Sequence, residues 1–194
     1  MSSSSATDYS PEITPLDSLI SRQDSRSYWL NVEANIRGMT GGDLESSDTD
    51  LEGSAAFLRS LGFVISDCPL HKAGRVLEGG AGIGRVTLAV LVKVAQVVDV
   101  VEPIAKFTAL LEGKPGIGHI FNVGIEDWNP VSGLKYDLIW NQWCATHLTD
   151  AQLVNYLCVC RSVLNLGKGV VVFKENITRG KDHVFDHADS SVTR

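Results

Sequence analysis

Three features of the chain predict an α/β fold, a doubly wound and mostly parallel sheet with helices on both faces. The first is the run Val76-Leu77-Glu78-Gly79-Gly80-Ala81-Gly82-Ile83-Gly84-Arg85, which reads as a buried strand, an acid, a glycine loop and a helix start. The second is the alternation of short apolar runs with helical stretches after it, the arrangement that builds a parallel sheet. The third is the near-continuous apolarity of runs such as Val97-Val98-Asp99-Val100-Val101, expected of strands covered on both faces. With 194 residues, 44% of them hydrophobic, the chain fits one domain with a sizeable core.

In order along the chain, residues 1–25 are polar, Ser-rich at the start and carry Pro11 and Pro15, so they are expected to form a flexible N-terminal arm before a domain at 26–194. Ser27-Tyr28-Trp29 opens the ordered part, followed by the turn-rich Gly38-Met39-Thr40-Gly41-Gly42. Asp50–Leu61 has Leu51, Ala55, Phe57, Leu58 and Leu61 at amphipathic helical spacing, giving an N-terminal helical extension to the sheet. Strands are then expected at 75–77, 96–101, 118–123, 136–140 and 169–173, with helices at 84–94, 104–111 and 150–163. The tail Asp189-Ser190-Ser191-Val192-Thr193-Arg194 reads as a helix beginning, and a sheet of this type is expected to receive further strands after it.

Composition narrows the function. Against 17 Lys and Arg stand 23 Asp and Glu, a formal charge of −6. That disfavours a sequence-independent grip on nucleic acid and suits a cationic substrate. Cys68, Cys144, Cys158 and Cys160 have neither Cys-x-x-Cys spacing nor nearby histidine pairs, so neither a disulfide framework nor a metal site is expected. The N-terminus lacks a secretory apolar core, and no stretch approaches the ~18 apolar residues of a membrane span. The expectation is a soluble monomer of the cytoplasm and also the nucleus, with no membrane or nucleic-acid partner.

The glycine loop carries the first chemistry. A dinucleotide loop needs Gly-x-Gly-x-x-Gly, and in either register Arg85 or Thr87 stands where the third glycine belongs. Glu-x-Gly-x-Gly-x-Gly is instead the form used by S-adenosylmethionine-dependent methyltransferases. Gly80 and Gly82 let the backbone approach a cofactor without a Cβ. Glu102, about 20 residues further on, closes a strand where an acid accepts a ribose diol, or else caps the next helix. Arg85 in a first helical turn opposes the helix dipole, which suits a partner such as the cofactor's carboxylate; a surface arginine is the alternative. Glu126 or Asp127 after the third strand is placed for adenine or for a polar turn. His147 follows Trp143 by one helical turn, over the middle of the sheet, as a base or as a structural cap.

At these residues the chain resembles the protein α-N-terminal methyltransferases, class I enzymes that use S-adenosyl-L-methionine to methylate exposed Xaa-Pro-Lys/Arg N-termini. The resemblance runs from Tyr28-Trp29 through the glycine loop, Asn141-Gln142-Trp143, His147-Leu148-Thr149-Asp150 and Asn176 to Asp189-Ser190-Ser191-Val192, covering most of residues 27–194. It implies cofactor contacts at Trp29, Met39, Thr40, Gly80, Arg85, Glu102, Pro103, Ile125, Glu126 and Gln142. It implies substrate contacts at Trp29, Trp143, Asn176, Asp186 and Ser191, with His147 and Asp189 as proton acceptors. Thr40 and Asp43 stand where the family has apolar or aromatic residues, Glu126 replaces an amide, Glu102 replaces the shorter Asp, and the family's final strands are absent. The alternatives on the same scaffold are an inactive cofactor-binding module and a small-molecule methyltransferase.

Overall fold

The computed structural model describes residues 15–180 and 182–194; the first fourteen residues of the expected arm lie outside the described residues. From Pro15 onward the chain departs from that expectation. Leu16–Leu19 forms a 3-10 turn, and α1 spans Arg22–Asn31. Ser21 caps α1 by accepting the Asp24 N–H at 3.2 Å, which satisfies one of the free donors of a helix start. Few apolar residues mark this helix. It is tied down by ion pairs from Arg22 to Glu126 and Asp127 and by buried Ser25.

Two further N-terminal helices follow, α2 at Ile36–Met39 and α3 at Glu45–Ser60. Helix α3 starts five residues before the expected Asp50, and its inward stripe differs from the one expected. Ser47, Leu51, Ser54 and Leu58 face the core at spacings of four, three and four, whereas Phe57 and Leu61 are 47% and 42% exposed. Half of the buried stripe is serine, so hydrophobicity alone misplaces it.

The sheet comprises β1 (Ala73–Gly79), β2 (Ala95–Val101), β3 (Ile117–Phe121), β4 (Leu138–Gln142) and β5 (Val170–Lys174). Every pairing is parallel, in the order β3-β2-β1-β4-β5. Neighbours along a strand face opposite ways, and here both directions are buried. Val76, Val98, Leu138 and Trp140 join Leu58, Val90 and Leu91 on one face; Leu77, Val101 and Ile139 join Trp128, Tyr136 and Tyr156 on the other. The apolar run of β2 contains one exception, Asp99, which is fully buried. Its carboxylate accepts from Arg75 Nη1 at 2.9 Å, Tyr136 Oη at 2.8 Å and the His119 N–H at 2.7 Å, so the buried charge is paired.

Between the strands, a π-helical turn at Thr87–Leu91 runs into α4 (Val92–Val94), where a plain helix over 84–94 is expected. Helix α5 is only Ala105–Thr108. Helix α6 spans Asp150–Val163, the expected limits, because Thr149 and Gln152 form a capping box: Gln152 N–H donates to Thr149 Oγ1 and Thr149 N–H to Gln152 Oε1. The tail is not a helix. Val184–Asp186 (β6) and Ser191–Thr193 (β7) pair antiparallel as a hairpin, and Ser190 at its turn holds φ +57°. The hairpin packs on Leu16–Leu19 and on the Ala145–His147 turn. Strand order reverses between β1 and β4, and a crevice beyond their carboxyl ends is where such a sheet binds ligands.

Candidate active site

The crevice is lined from four directions. The β1 loop gives Gly80, Gly82 and Arg85; the end of β2 gives Glu102 and Pro103; the turn after β3 gives Ile125 and Glu126; the end of β4 gives Gln142, Trp143 and His147. Trp29 and Met39 from the N-terminal helices cover it. The loop is built for close approach. At Gly80, φ +67°, a Cβ would collide with Cys144, and at Gly82, φ +55°, it would come within 2.8 Å of Met39 Sδ. Only glycine adopts both conformations without strain.

Glu102 is 6% exposed. One oxygen accepts the Gly82 N–H and the other the Ile104 N–H, each at 2.9 Å. Burial pushes its carboxyl up to about 7, against the pull of those two donors. Each oxygen keeps a second lone pair, so both hydroxyls of a diol find an acceptor at the strand end. Glu78, fully enclosed, accepts from Thr87 Oγ1 and is pushed by burial up to about 8. Glu126 is engaged by Arg22 Nε at 2.8 Å and Arg26 Nη2 at 3.4 Å, so α1 latches onto the edge of the crevice.

On the other side, Arg85 lies over the Trp143 ring at 5.0 Å and is ion-paired with Asp50 at 2.7 Å. Trp143 itself holds φ +55°, sparsely populated for a non-glycine residue and a mark of functional sites. Gln142 is 7% exposed, and its Oε1 is buried without a partner in the protein.

His147 Nδ1 lies 3.1 Å from Ser25 Oγ, and Nε2 lies 3.4 Å from Trp29 Nε1 and 3.9 Å from Asp189 Oδ2. An indole N–H only donates, so Nε2 accepts from it, and the ring proton sits on Nδ1 toward Ser25. Burial holds the imidazole below its ordinary 6.5, overcoming the opposing influence of Asp189, the Ser190 backbone and Glu126. The ring is therefore neutral at pH 7, with a basic nitrogen facing a carboxylate. Asp189 Oδ1 is buried and unpartnered.

The structure thus brings Trp29, Met39, Gly80, Gly82, Arg85, Glu102, Pro103, Ile125, Glu126, Gln142, Trp143 and His147 to one crevice, with Asp189 at its margin. It does not gather the rest there. Thr40 caps α2 and bonds Ile36 O; Asn176 lines a separate apolar depression with Ile177 and Arg194. Asp186 is exposed on β6 with Oδ1 on the Ala188 N–H, and Ser191 is buried on β7. Sequence reasoning misses Ser25, assigned to the arm, and Asp50, a helix residue without a motif around it. It also misses Glu175, whose Oε1 accepts the Cys144 and Ala145 N–H groups and so shapes the turn before His147.

A glycine cradle, an acid with free lone pairs at the next strand end, and an orphaned amide acceptor opposite fit S-adenosylmethionine. Fold and site together define an S-adenosylmethionine-dependent methyltransferase. The chain matches the model of the AdoMet dependent proline di-methyltransferase family over residues 17–194 and belongs to that family. It is 42% identical over 177 residues to the Schizosaccharomyces pombe alpha N-terminal protein methyltransferase 1, covering 88% of this chain and 77% of that one. It is 36% identical to the Xenopus laevis N-terminal Xaa-Pro-Lys N-methyltransferase 1-A, covering 88% and 76%. Against the Arabidopsis thaliana alpha N-terminal protein methyltransferase 1 the identity is 35%, and the chain spans 65% of that relative's length. Among solved structures, a SAM-dependent methyltransferase of Leishmania major superposes with TM-score 0.75 at 33% identity, covering 89% of this chain and 67% of that one.

Proposed function

We propose that the chain methylates the α-amino group of proteins whose exposed N-terminus reads Xaa-Pro-Lys or Xaa-Pro-Arg. The observation that carries the reading is the neutral His147 facing Asp189 beside Trp29 and Trp143, in a family whose relatives are named for this activity. When bound, S-adenosylmethionine supplies an electrophilic methyl group on sulfur. The acceptor nitrogen needs a free lone pair, and an α-amino group with a pKa of about 7.7–8.0 is mostly protonated at neutral pH.

A carboxylate alone would hold that proton in place by charge pairing. His147 Nε2 takes it as a general base once the long 3.4 Å contact from the Trp29 indole N–H gives way; the resulting imidazolium is stabilised by Asp189 and the Ser190 backbone. Trp29 and Trp143 supply flat apolar walls for the first residues, including a proline ring. The charge of −6 favours a substrate with Lys or Arg at position three. Asp186 and Ser191 on the hairpin and Asn176 in the neighbouring depression lie outside the crevice itself and are the further substrate contacts of this reading.

The test is a mass-spectrometric assay of residues 1–194 with S-adenosylmethionine and a Ser-Pro-Lys peptide, with its N-acetylated copy as control. Gains of methyl units on the free peptide alone support the proposal. Methylation of the acetylated copy, or none on either peptide, overturns it.

A further inference from the structure

Asp50 has no role in the reading above, yet the side chains of Arg85, Gln142 and Lys174 all converge on its carboxylate. Its side chain is 10% exposed and stands behind the crevice on α3. Oδ2 accepts from Arg85 Nη2 at 2.7 Å and Gln142 Nε2 at 2.8 Å; Oδ1 faces Gln142 Nε2 at 3.0 Å and pairs with the Lys174 ammonium. Lys174 Nζ is itself fixed by Asp50 O at 2.9 Å and Ser54 Oγ at 2.8 Å. Burial opposes ionisation of Asp50, but hydrogen bonds from Lys174, Gln142 and Arg85 hold its carboxyl below the usual range.

A carboxylate accepts and does not donate, so the Gln142 atom that faces it is Nε2. Oε1 is thereby turned away from Asp50, buried and without a protein partner, on a residue that lines the crevice. An acceptor left in that state calls for a donor from a ligand. Arg85 and Lys174 against Asp50 also leave one net positive charge beside it.

We infer that Asp50 is a positioning residue: it locks the Gln142 amide with its oxygen toward the crevice and holds Arg85 over Trp143, so that the pair recognises a zwitterionic amino-acid group. The ammonium is taken by Gln142 Oε1 and the carboxylate by the surplus positive charge. The inference rests on the cofactor reading and assigns its amino-acid end to a clamp set from α3. Charge-assisted bonds of this kind are the strong ones, and their geometry depends on the carboxylate behind them.

The experiment compares two ligands by calorimetry on wild type and Asp50→Asn. S-adenosylhomocysteine carries the amino-acid end; 5′-methylthioadenosine shares the adenosine and thioether but lacks it. The variant is expected to bind S-adenosylhomocysteine about tenfold or more weakly and 5′-methylthioadenosine within about twofold of wild type. Equal losses for both ligands mark a general structural lesion and overturn the proposal, as does unchanged affinity for both. A folded wild type that binds neither ligand overturns the cofactor reading itself. If Asp50→Asn does not fold, NMR of the wild type decides. The Gln142 side-chain amide protons are expected to resist exchange both free and with S-adenosylhomocysteine, and rapid exchange in the complex overturns the inference.

Discussion

Replacing His147 with Asn tests the proton path most directly. Asn keeps a polar side chain toward Ser25, 3.1 Å from Nδ1 in the parent, but has no basic nitrogen opposite Asp189, 3.9 Å from Nε2. An α-amino group with a pKa of about 7.7–8.0 is neutral in about one molecule in six to one in eleven at pH 7.0. A site unable to take the proton depends on that fraction alone. Loss of a general base is expected to lower turnover about a hundredfold or more. Burial holds the His147 imidazole below its ordinary 6.5, so the base is neutral above that pH and wild-type turnover is expected to fall only at lower pH, as the ring takes up a proton. The variant's turnover should instead climb until about pH 8, following the titration of the amine itself. The assay is kcat on the Ser-Pro-Lys peptide from pH 5.5 to 9. A variant within twofold of wild type at pH 7.0, with the same profile, would refute the assignment.

Asp189→Asn removes the charge that stabilises the imidazolium while leaving the cofactor crevice alone; a sharp loss of turnover is expected with S-adenosylhomocysteine affinity nearly unchanged by calorimetry. Glu78 and Glu102 are raised from 4.5 to about 8 and about 7 by burial, so the folded chain binds more protons than the unfolded one between those limits. Their stabilising contribution is complete below pH 4.5 and is lost as pH rises through about 7 and 8. Glu78→Gln keeps an acceptor for Thr87 but does not ionise. Its melting temperature should exceed wild type at pH 9 and not at pH 5, and the reverse order would contradict the sign. Asp99→Ala leaves the Tyr136 hydroxyl and Arg75 without their buried partner, a loss of about 3–5 kcal/mol. Against a total of about 5–15 kcal/mol, that lowers the urea midpoint by more than about 1 M. A shift below a few tenths molar would show that Asp99 contributes little.

What the chain states locally, it states well. The strand, glycine loop and Glu102 lie within one βα unit, where backbone geometry and chemistry are set by neighbours in sequence. The limits of α6 follow from Thr149 and Gln152, three residues apart, and the doubly buried strands from runs of apolar residues. These features place the sheet and the cofactor crevice with no knowledge of the rest of the chain.

Tertiary structure decides the remainder, because side-chain hydrogen bonds between distant segments leave no period or spacing to read. Helix α1 hides in a polar stretch because ion pairs to Glu126 hold it, not an apolar stripe. Phe57 and Leu61 fit a helical face but lie outward, while Ser47 and Ser54 take buried places beside the Arg85 and Lys174 head groups. The tail becomes a hairpin because it packs on the His147 turn. Asp50 meets Arg85, Gln142 and Lys174 across 35, 92 and 124 residues, and Ser25 meets His147 across 122. The sequence therefore determines which sheet forms and where its crevice opens; only packing of the N-terminal helices over that sheet decides which polar groups are brought together there, because it alone carries them across such separations.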